Sequence, residues 1–464
     1  MGMNEGFFDI GVKSITTGLR DGSLTPHEIA ERCIAQVARV EPACLAWECF
    51  DGEKLRREAE TCASRLARGE PVRRLEGVPV GVKDIFNTAD FPTQMGSPLW
   101  KGFTPGNDAR SVFNLKRDGA WVPGKTVTAE FAVHALGRTL NPHDPFRNPG
   151  TSSTGSAVAV AAGMVPVALG TQTAGSIVRP ASFCGIYGCK PSFGLIPRTG
   201  MLKTTDSLDS VGFFVSQAED LATVFDALRV HGPDYPLSHT PLSDPERQTK
   251  SSSRPWRIVV ARTHTWEYAP DYAREALLDW CSKLDRLPGV EVVDSVPLPQ
   301  RLGRSHEIHG HIYDKALAYY FREEYKRAEL VSPVMNEIIR RGQEIGAETY
   351  ISALRDQEAL CHEVDAFMQS YDVLISLSTA GEAPNREETE KPDPALIWSL
   401  THLPVVSVPL FRSPSGLPFG AQVVSRRYND YLLFGFLNWL RSQGLIPERA
   451  NPLLGESIPG RGEL

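Results

Sequence analysis

Two hydroxyl-rich loops carry most of the chemistry that this sequence offers: Gly150-Thr151-Ser152-Ser153-Thr154-Gly155-Ser156 and Gly170-Thr171-Gln172-Thr173-Ala174-Gly175-Ser176. Ser152 and Ser176 lie 24 residues apart, on either side of a segment of small residues. Upstream, Lys83 follows the apolar run Val78-Pro79-Val80, where a buried strand would end. A lysine accepts a proton only when neutral, and burial beside Val80 and Ile85 lowers its pKa toward working pH. A buried lysine and two serine loops are the parts of nucleophilic catalysis by a hydroxyl. Lys125 follows an apolar stretch in the same way, and Lys190 comes soon after the second loop. Spacing alone does not rank the three lysines.

Other chemistries are less well served. Gly150 and Gly155 have the spacing of a phosphate-binding loop, but Ser156 stands where that loop needs lysine. No lysine has a serine three positions before it, which excludes a Ser-x-x-Lys site. In His306-Glu307-Ile308-His309-Gly310-His311 no two histidines are four apart, so a partly exposed helix is expected there and not a zinc site. Cys184 and Cys189 are poorly spaced for zinc and read as core residues. No metal and no organic cofactor is expected.

These residues need elements to position them. Thr25-Pro26-His27-Glu28 is a capping box that opens an amphipathic helix through Ile29, Cys33, Ile34 and Val37. Further helices are expected over 52–68 and 109–115, with a short strand at Ala120-Trp121-Val122 and a turn from Gly124-Lys125-Thr126 into 129–133. Ala157 to Ala162 is too small and apolar for a surface helix and should be buried. A strand over 165–169 then feeds the second loop, so both serine loops meet at one sheet edge. Residues 231–255, with the run Ser251-Ser252-Ser253, read as a linker or surface excursion. Strands are expected at 257–261, 371–377, 405–410 and 420–425, a mainly helical region at 266–368, and a closing helix at 430–441. The alternation implies an α/β layered fold.

In order, Gly77-Val78-Pro79-Val80-Gly81-Val82-Lys83-Asp84, Gly124-Lys125-Thr126, Asn148 to Gly163, Gly170 to Gly194 and the tail segment Gly416 to Gln422 resemble the amidase signature family. The resemblance implies a single domain over 1–464, an α/β/α sandwich around a large mixed β-sheet, with the signature core at 77–200 and a substrate-side region at 266–368. It implies Ser176 as nucleophile, Ser152 as a bridging serine held in a cis peptide, and Lys83 as base. The backbone amides of Thr173, Ala174, Gly175 and Ser176 would form the oxyanion hole. The implied activity is hydrolysis of an amide or carbamate C–N bond through an acyl-enzyme.

Departures from the usual pattern are Thr151 and Thr154 at glycine positions, Gln172 at an aspartate position, Ala174 at a glycine position, and Arg179 three residues after the nucleophile. This variant resembles malonamidase-type small bacterial amidases more than it does the subunit of the tRNA-dependent amidotransferase. Arg179 would then hold a substrate carboxylate or buttress the loop beside Pro180. The alternative substrate is an apolar amide or urethane in a pocket near Phe91, Met95 and Phe131. Thr151, Gln172, Met95, Phe131 and Arg179 are the positions expected to face substrate. The readings from other classes are an inactive scaffold and one subunit of an amidotransferase complex.

The chain has 464 residues, of which 41% are hydrophobic and 23% charged, and a net charge of −7 with scattered lysines and arginines. That balance argues against a nucleic-acid ligand. No apolar run is long enough for a membrane span. Met1 to Gly6 lacks a basic region followed by an apolar stretch, and Gly6 stands where lipidation of Gly2 would need a hydroxyl. A cytoplasmic protein with eight reduced cysteines is expected, with a small-molecule amide or carbamate as its partner and room for a homodimer.

Overall fold

The computed structural model describes residues 6–294 and 296–450; Met1 to Glu5, the segment considered for a leader, lie outside the described residues. One mixed sheet runs through the molecule. Its strands are β1 (Trp47–Phe50), β2 (Val80–Lys83), β3 (Gly124–Thr126), β4 (Val167–Gln172), β5 (Tyr187–Lys190), β6 (Ser210–Val215), β7 (Trp256–Val260), β8 (Val290–Val293), β9 (Val373–Leu377), β10 (Val405–Arg412) and β11 (Pro418–Ser425). Their order across the sheet is β1-β3-β2-β4-β6-β5-β10-β11-β9-β7-β8. This is the large mixed sheet of the expected α/β fold.

Three neighbouring strands determine where the chemistry sits. β2 pairs in parallel with both β3 and β4, so all three end at the same edge. Lys83 is the last residue of β2, and Gln172 is the last of β4, immediately before the second serine loop. The helix Thr154–Ala161 begins just after Ser152 and Ser153, and every one of its residues is buried. Because that helix returns antiparallel to β4, its first turn lies at the edge where β4 ends. Carboxyl ends of parallel strands are the usual place for a site in such sheets.

The helix Pro26–Cys44 opens with the expected capping box, Thr25 accepting from Glu28 N and Glu28 accepting from Thr25 N. The strand expected at 120–122 is only a bridge between Pro79 and Trp121, and the ladder proper starts at Gly124. Pro123 separates the two, and without an N–H it interrupts strand pairing. β4 starts two residues later than expected and runs through Thr171 and Gln172, which the sequence pattern places in a loop. The sequence reading passes over β1, β5, β6 and β8, although β6 is the neighbour of β4. Residues 231–255 hold two short helices, Pro236–Leu242 and Pro245–Gln248. Between 266 and 368 four helices longer than two turns accompany β8. No helix among the described residues is long and apolar enough to cross a membrane.

Candidate active site

Lys83 is wholly buried, and its Nζ lies 2.9 Å from Ser152 Oγ, 3.0 Å from Ser153 Oγ and 2.9 Å from Thr171 Oγ1. All three partners are neutral hydroxyls. Burial pushes the lysine down to about 7, against the pull of the Asp209 carboxylate. The Thr151–Ser152 peptide bond is cis. Ser153 stitches the first loop to β4, since its Oγ donates to Thr171 O at 3.1 Å and accepts from Thr171 N at 3.2 Å.

The rival lysines have other employment. Lys125 Nζ is 2.9 Å from the buried Asp84 carboxylate and also reaches Pro92 O and Thr93 Oγ1. Lys190 donates to the carbonyls of Pro191 and Leu403. Of the three, only Lys83 faces serine hydroxyls.

The second loop is held from several sides. Gln172 is buried; its Oε1 accepts from Ile177 N at 2.9 Å and Val178 N at 3.0 Å, and its Nε2 donates to Ser399 Oγ at 3.1 Å. Both ends of the Gln172 amide are therefore engaged inside the protein and shape the loop, where the sequence suggested a face toward substrate. Thr173 Oγ1 donates to Asp209 at 2.9 Å. No hydrogen bond among the described residues takes up the N–H of Thr173, Ala174, Gly175 or Ser176. Consecutive free donors at a turn, here four, are what an oxyanion requires. Ser176 is buried beside them.

Arg179 connects the two loops. Its Nη2 donates to Thr151 O at 3.0 Å, on the cis peptide itself. Its Nη1 lies 2.7 Å from Glu390 and 3.0 Å from Asp393. Burial alone would lower the arginine's pKa, and the two carboxylates more than reverse this. Asp393 also explains Gly175: a Cβ there would come within 1.9 Å of Asp393 Oδ2, so only glycine admits the carboxylate. Arg179, Phe183, Thr379, Glu390 and Asp393 line a cavity of about 590 Å³; the lysine and the two serines are not on its wall.

Met95 and Phe131 belong to one apolar cluster with Leu317, Phe321 and Met335, and Phe131 has no exposed surface. Phe131 meets Phe321 with ring centroids 4.8 Å apart. Phe91 packs in the main core. Thr151 is buried, its hydroxyl toward Arg179. The histidines lie on a partly exposed helix, as expected, with His309 on its buried face and its Nε2 3.0 Å from Thr173 O. Among the described residues no group of three or more His, Cys, Asp or Glu side chains could hold a metal ion. All eight cysteines are unbridged.

Asp209, Ser153, Ser399, Asp393 and His309 touch the two loops, and the sequence reading does not single them out as site residues. For His309 a signal existed: Ser305, Ile308, His309, Ile312 and Ala316 share the buried face of the helix Ser305–Tyr320. For Ser399 and Asp393, more than 200 residues away in sequence, no local pattern announces the contact.

The family model described as Amidase matches residues 28–434. A glutamyl-tRNA(Gln) amidotransferase subunit from Anaeromyxobacter sp. (strain K) is 30% identical over 490 aligned residues, 96% of this chain and 98% of its own length. Its counterpart in Bdellovibrio bacteriovorus is 29% identical, over 94% of this chain and 97% of its own. These curated relatives belong to amidotransferases and not to the malonamidase-type branch that the loop substitutions suggested. Among solved structures, the inhibitor-bound "unexpected vestigial protein complex" linked to "an s-triazine catabolic enzyme" superposes with a TM-score of 0.83 at 27% identity, over 95% of this chain and 100% of that one. The peptide amidase from Stenotrophomonas maltophilia, at 24% identity and a TM-score of 0.80 over 96% of this chain and 99% of its own, shares the fold. With one family model spanning most of its length and a relative matched almost end to end, the chain belongs to the amidase signature family of C–N bond hydrolases.

Proposed function

We propose that the protein hydrolyses a neutral amide, or a chemically similar carbamate, through an acyl-enzyme on Ser176. Ser176 Oγ attacks the carbonyl carbon. Its proton passes to Ser152 Oγ as the Ser152 proton moves to Lys83 Nζ, and the oxyanion forms against the N–H groups of Ala174, Gly175 and Ser176. The C–N bond then breaks, the leaving nitrogen taking a proton from Ser152, which regains one from Lys83. Water repeats the sequence on the ester. The observation that carries this reading is the setting of Lys83, with hydroxyl oxygens at 2.9, 3.0 and 2.9 Å and a pKa lowered by burial to about 7.

Neutral substrates are favoured by the state of Arg179, because its guanidinium is already matched by Glu390 and Asp393. A substrate carboxylate would have to displace them, and that argues against the malonamidase-like reading. We take Met95 and the apolar cluster behind it as one wall of the substrate pocket, and residues 266–368 as the side that closes on it, since His309 reaches Thr173. We read the chain as one domain built on the one sheet. The test is a panel of neutral amides, acidic amides, anilides and carbamates, run against Ser176→Ala and Lys83→Ala proteins. Turnover of neutral members that both variants abolish is expected. Retained turnover in either variant contradicts the assignment.

A second reading rests on the near-full-length likeness to amidotransferase subunits. Under it, amide hydrolysis would depend on partner proteins. Free glutamine hydrolysed only after co-expressed partners are added would favour it over the first.

A further inference from the structure

Three consecutive carbonyls of the second loop are pinned by three different parts of the molecule. Thr173 O accepts from His309 Nε2 at 3.0 Å, Ala174 O from Ser399 Oγ at 2.7 Å, and Gly175 O from Arg179 N at 2.8 Å. In a trans peptide the C=O of one residue and the N–H of the next point in opposite directions. The only cis bond among the described residues is Thr151–Ser152, so these units are trans. Drawing the carbonyls of 173, 174 and 175 toward His309, Ser399 and Arg179 therefore turns the N–H groups of 174, 175 and 176 the other way.

We propose that His309 and Ser399 are positioning residues of the oxyanion-binding turn, each holding one carbonyl outward so that the next N–H is aimed at the reacting oxygen. The inference rests on the reading of Ser176 as nucleophile. His309 comes from the helix Ser305–Tyr320 and Ser399 from the helix Leu396–Leu400, so two elements distant in sequence from the loop set its geometry. Neither side chain contacts substrate in this scheme. A carbonyl oxygen can only accept, which requires the Nε2–H tautomer of His309; burial lowers this histidine to about 4 and keeps it neutral at working pH. Ser399 is likewise fixed in role: it accepts from Gln172 Nε2 at 3.1 Å, which leaves its own proton for Ala174 O. Asp209, accepting from Thr173 Oγ1 at 2.9 Å, ties the side chain of the first residue of the turn to the residue before β6.

The test compares His309→Leu, His309→Gln and Ser399→Ala with wild type, all checked for folding by thermal melting. One readout is the labelling rate with a fluorophosphonate, and the other is kcat and KM on the amide that the panel shows to be turned over fastest. His309→Leu and Ser399→Ala should each lower kcat and the labelling rate by about tenfold to a hundredfold while KM stays within about threefold. His309→Gln, whose amide supplies a donor in the place of Nε2, should recover most of the loss. Wild-type labelling and kcat in folded His309→Leu and Ser399→Ala, or a Gln variant no better than Leu, would overturn the proposal. Should His309→Leu not fold, Ser399→Ala and His309→Gln decide the matter. The underlying reading fails separately: in that case Ser176→Ala is labelled as fast as wild type.

Discussion

Arg179 donates to the carbonyl oxygen of Thr151 at 3.0 Å, so a side chain three residues beyond one serine holds the peptide that presents the other. The same guanidinium is gripped by Glu390 and Asp393. Arg179→Ala should therefore destabilise the protein and reduce turnover of neutral and acidic amides alike. Removing one partner of a buried ion pair typically costs about 3–5 kcal/mol. Chemical denaturation and paired kinetics would check this, and a loss confined to acidic amides in a protein of unchanged stability would instead assign Arg179 to substrate.

The Lys83 environment predicts two pH dependences. Turnover, kcat/KM, should rise as pH passes through about 7, where the buried lysine loses its proton, and level off above. Stability carries the same signature. The folded pKa lies below the unfolded value of 10.5, so between about 7 and 10.5 the unfolded chain binds more protons and stability increases with pH. Measured against Lys83→Met, wild type should gain stability across that window. A difference independent of pH would mean that Lys83 is not depressed.

Lys125→Ala should behave differently from Lys83→Ala. It leaves Asp84 buried without its cation, at a cost of about 3–5 kcal/mol, while the hydroxyl cluster at Lys83 is untouched. Unfolding curves should show the loss, and the fraction that remains folded should still turn over substrate. An inactive but fully stable Lys125→Ala would make Lys125 the base.

How much of the fold and site is legible in the sequence depends on sequence separation. The capping box at Thr25, the buried helix after Ser153 and the placement of Lys83 at a strand end all follow from residues close in the chain. β6 escapes notice although its run Ser210-Val211-Gly212-Phe213-Phe214-Val215 is largely apolar, because a short buried strand lacks the alternation that marks an exposed one. Spacing leaves the three lysines unranked and the motif resemblance selects Lys83, but why Lys125 and Lys190 are otherwise engaged needs Asp84, Thr93 and Leu403, and the state of Arg179 needs Glu390 and Asp393. Burial and long-range pairing, which sequence does not encode locally, decide each of these.

Gly175 and Asp393 should be energetically coupled. Gly175→Ala places a methyl 1.9 Å from Asp393 Oδ2, which forces the carboxylate off Arg179 or the loop out of place. In an Asp393→Ala background that clash is absent, and the further cost of Gly175→Ala should fall. A double-mutant cycle of thermal stability reads the coupling, and strict additivity would deny the contact.

The central claim is that Ser176 carries the acyl group. Intact-mass and peptide mass spectrometry after fluorophosphonate treatment address it without knowledge of the substrate. The account predicts one adduct per chain, on the peptide containing Ser176, and none in a folded Ser176→Ala variant. A stoichiometric adduct on another residue, or undiminished labelling of Ser176→Ala, would contradict it.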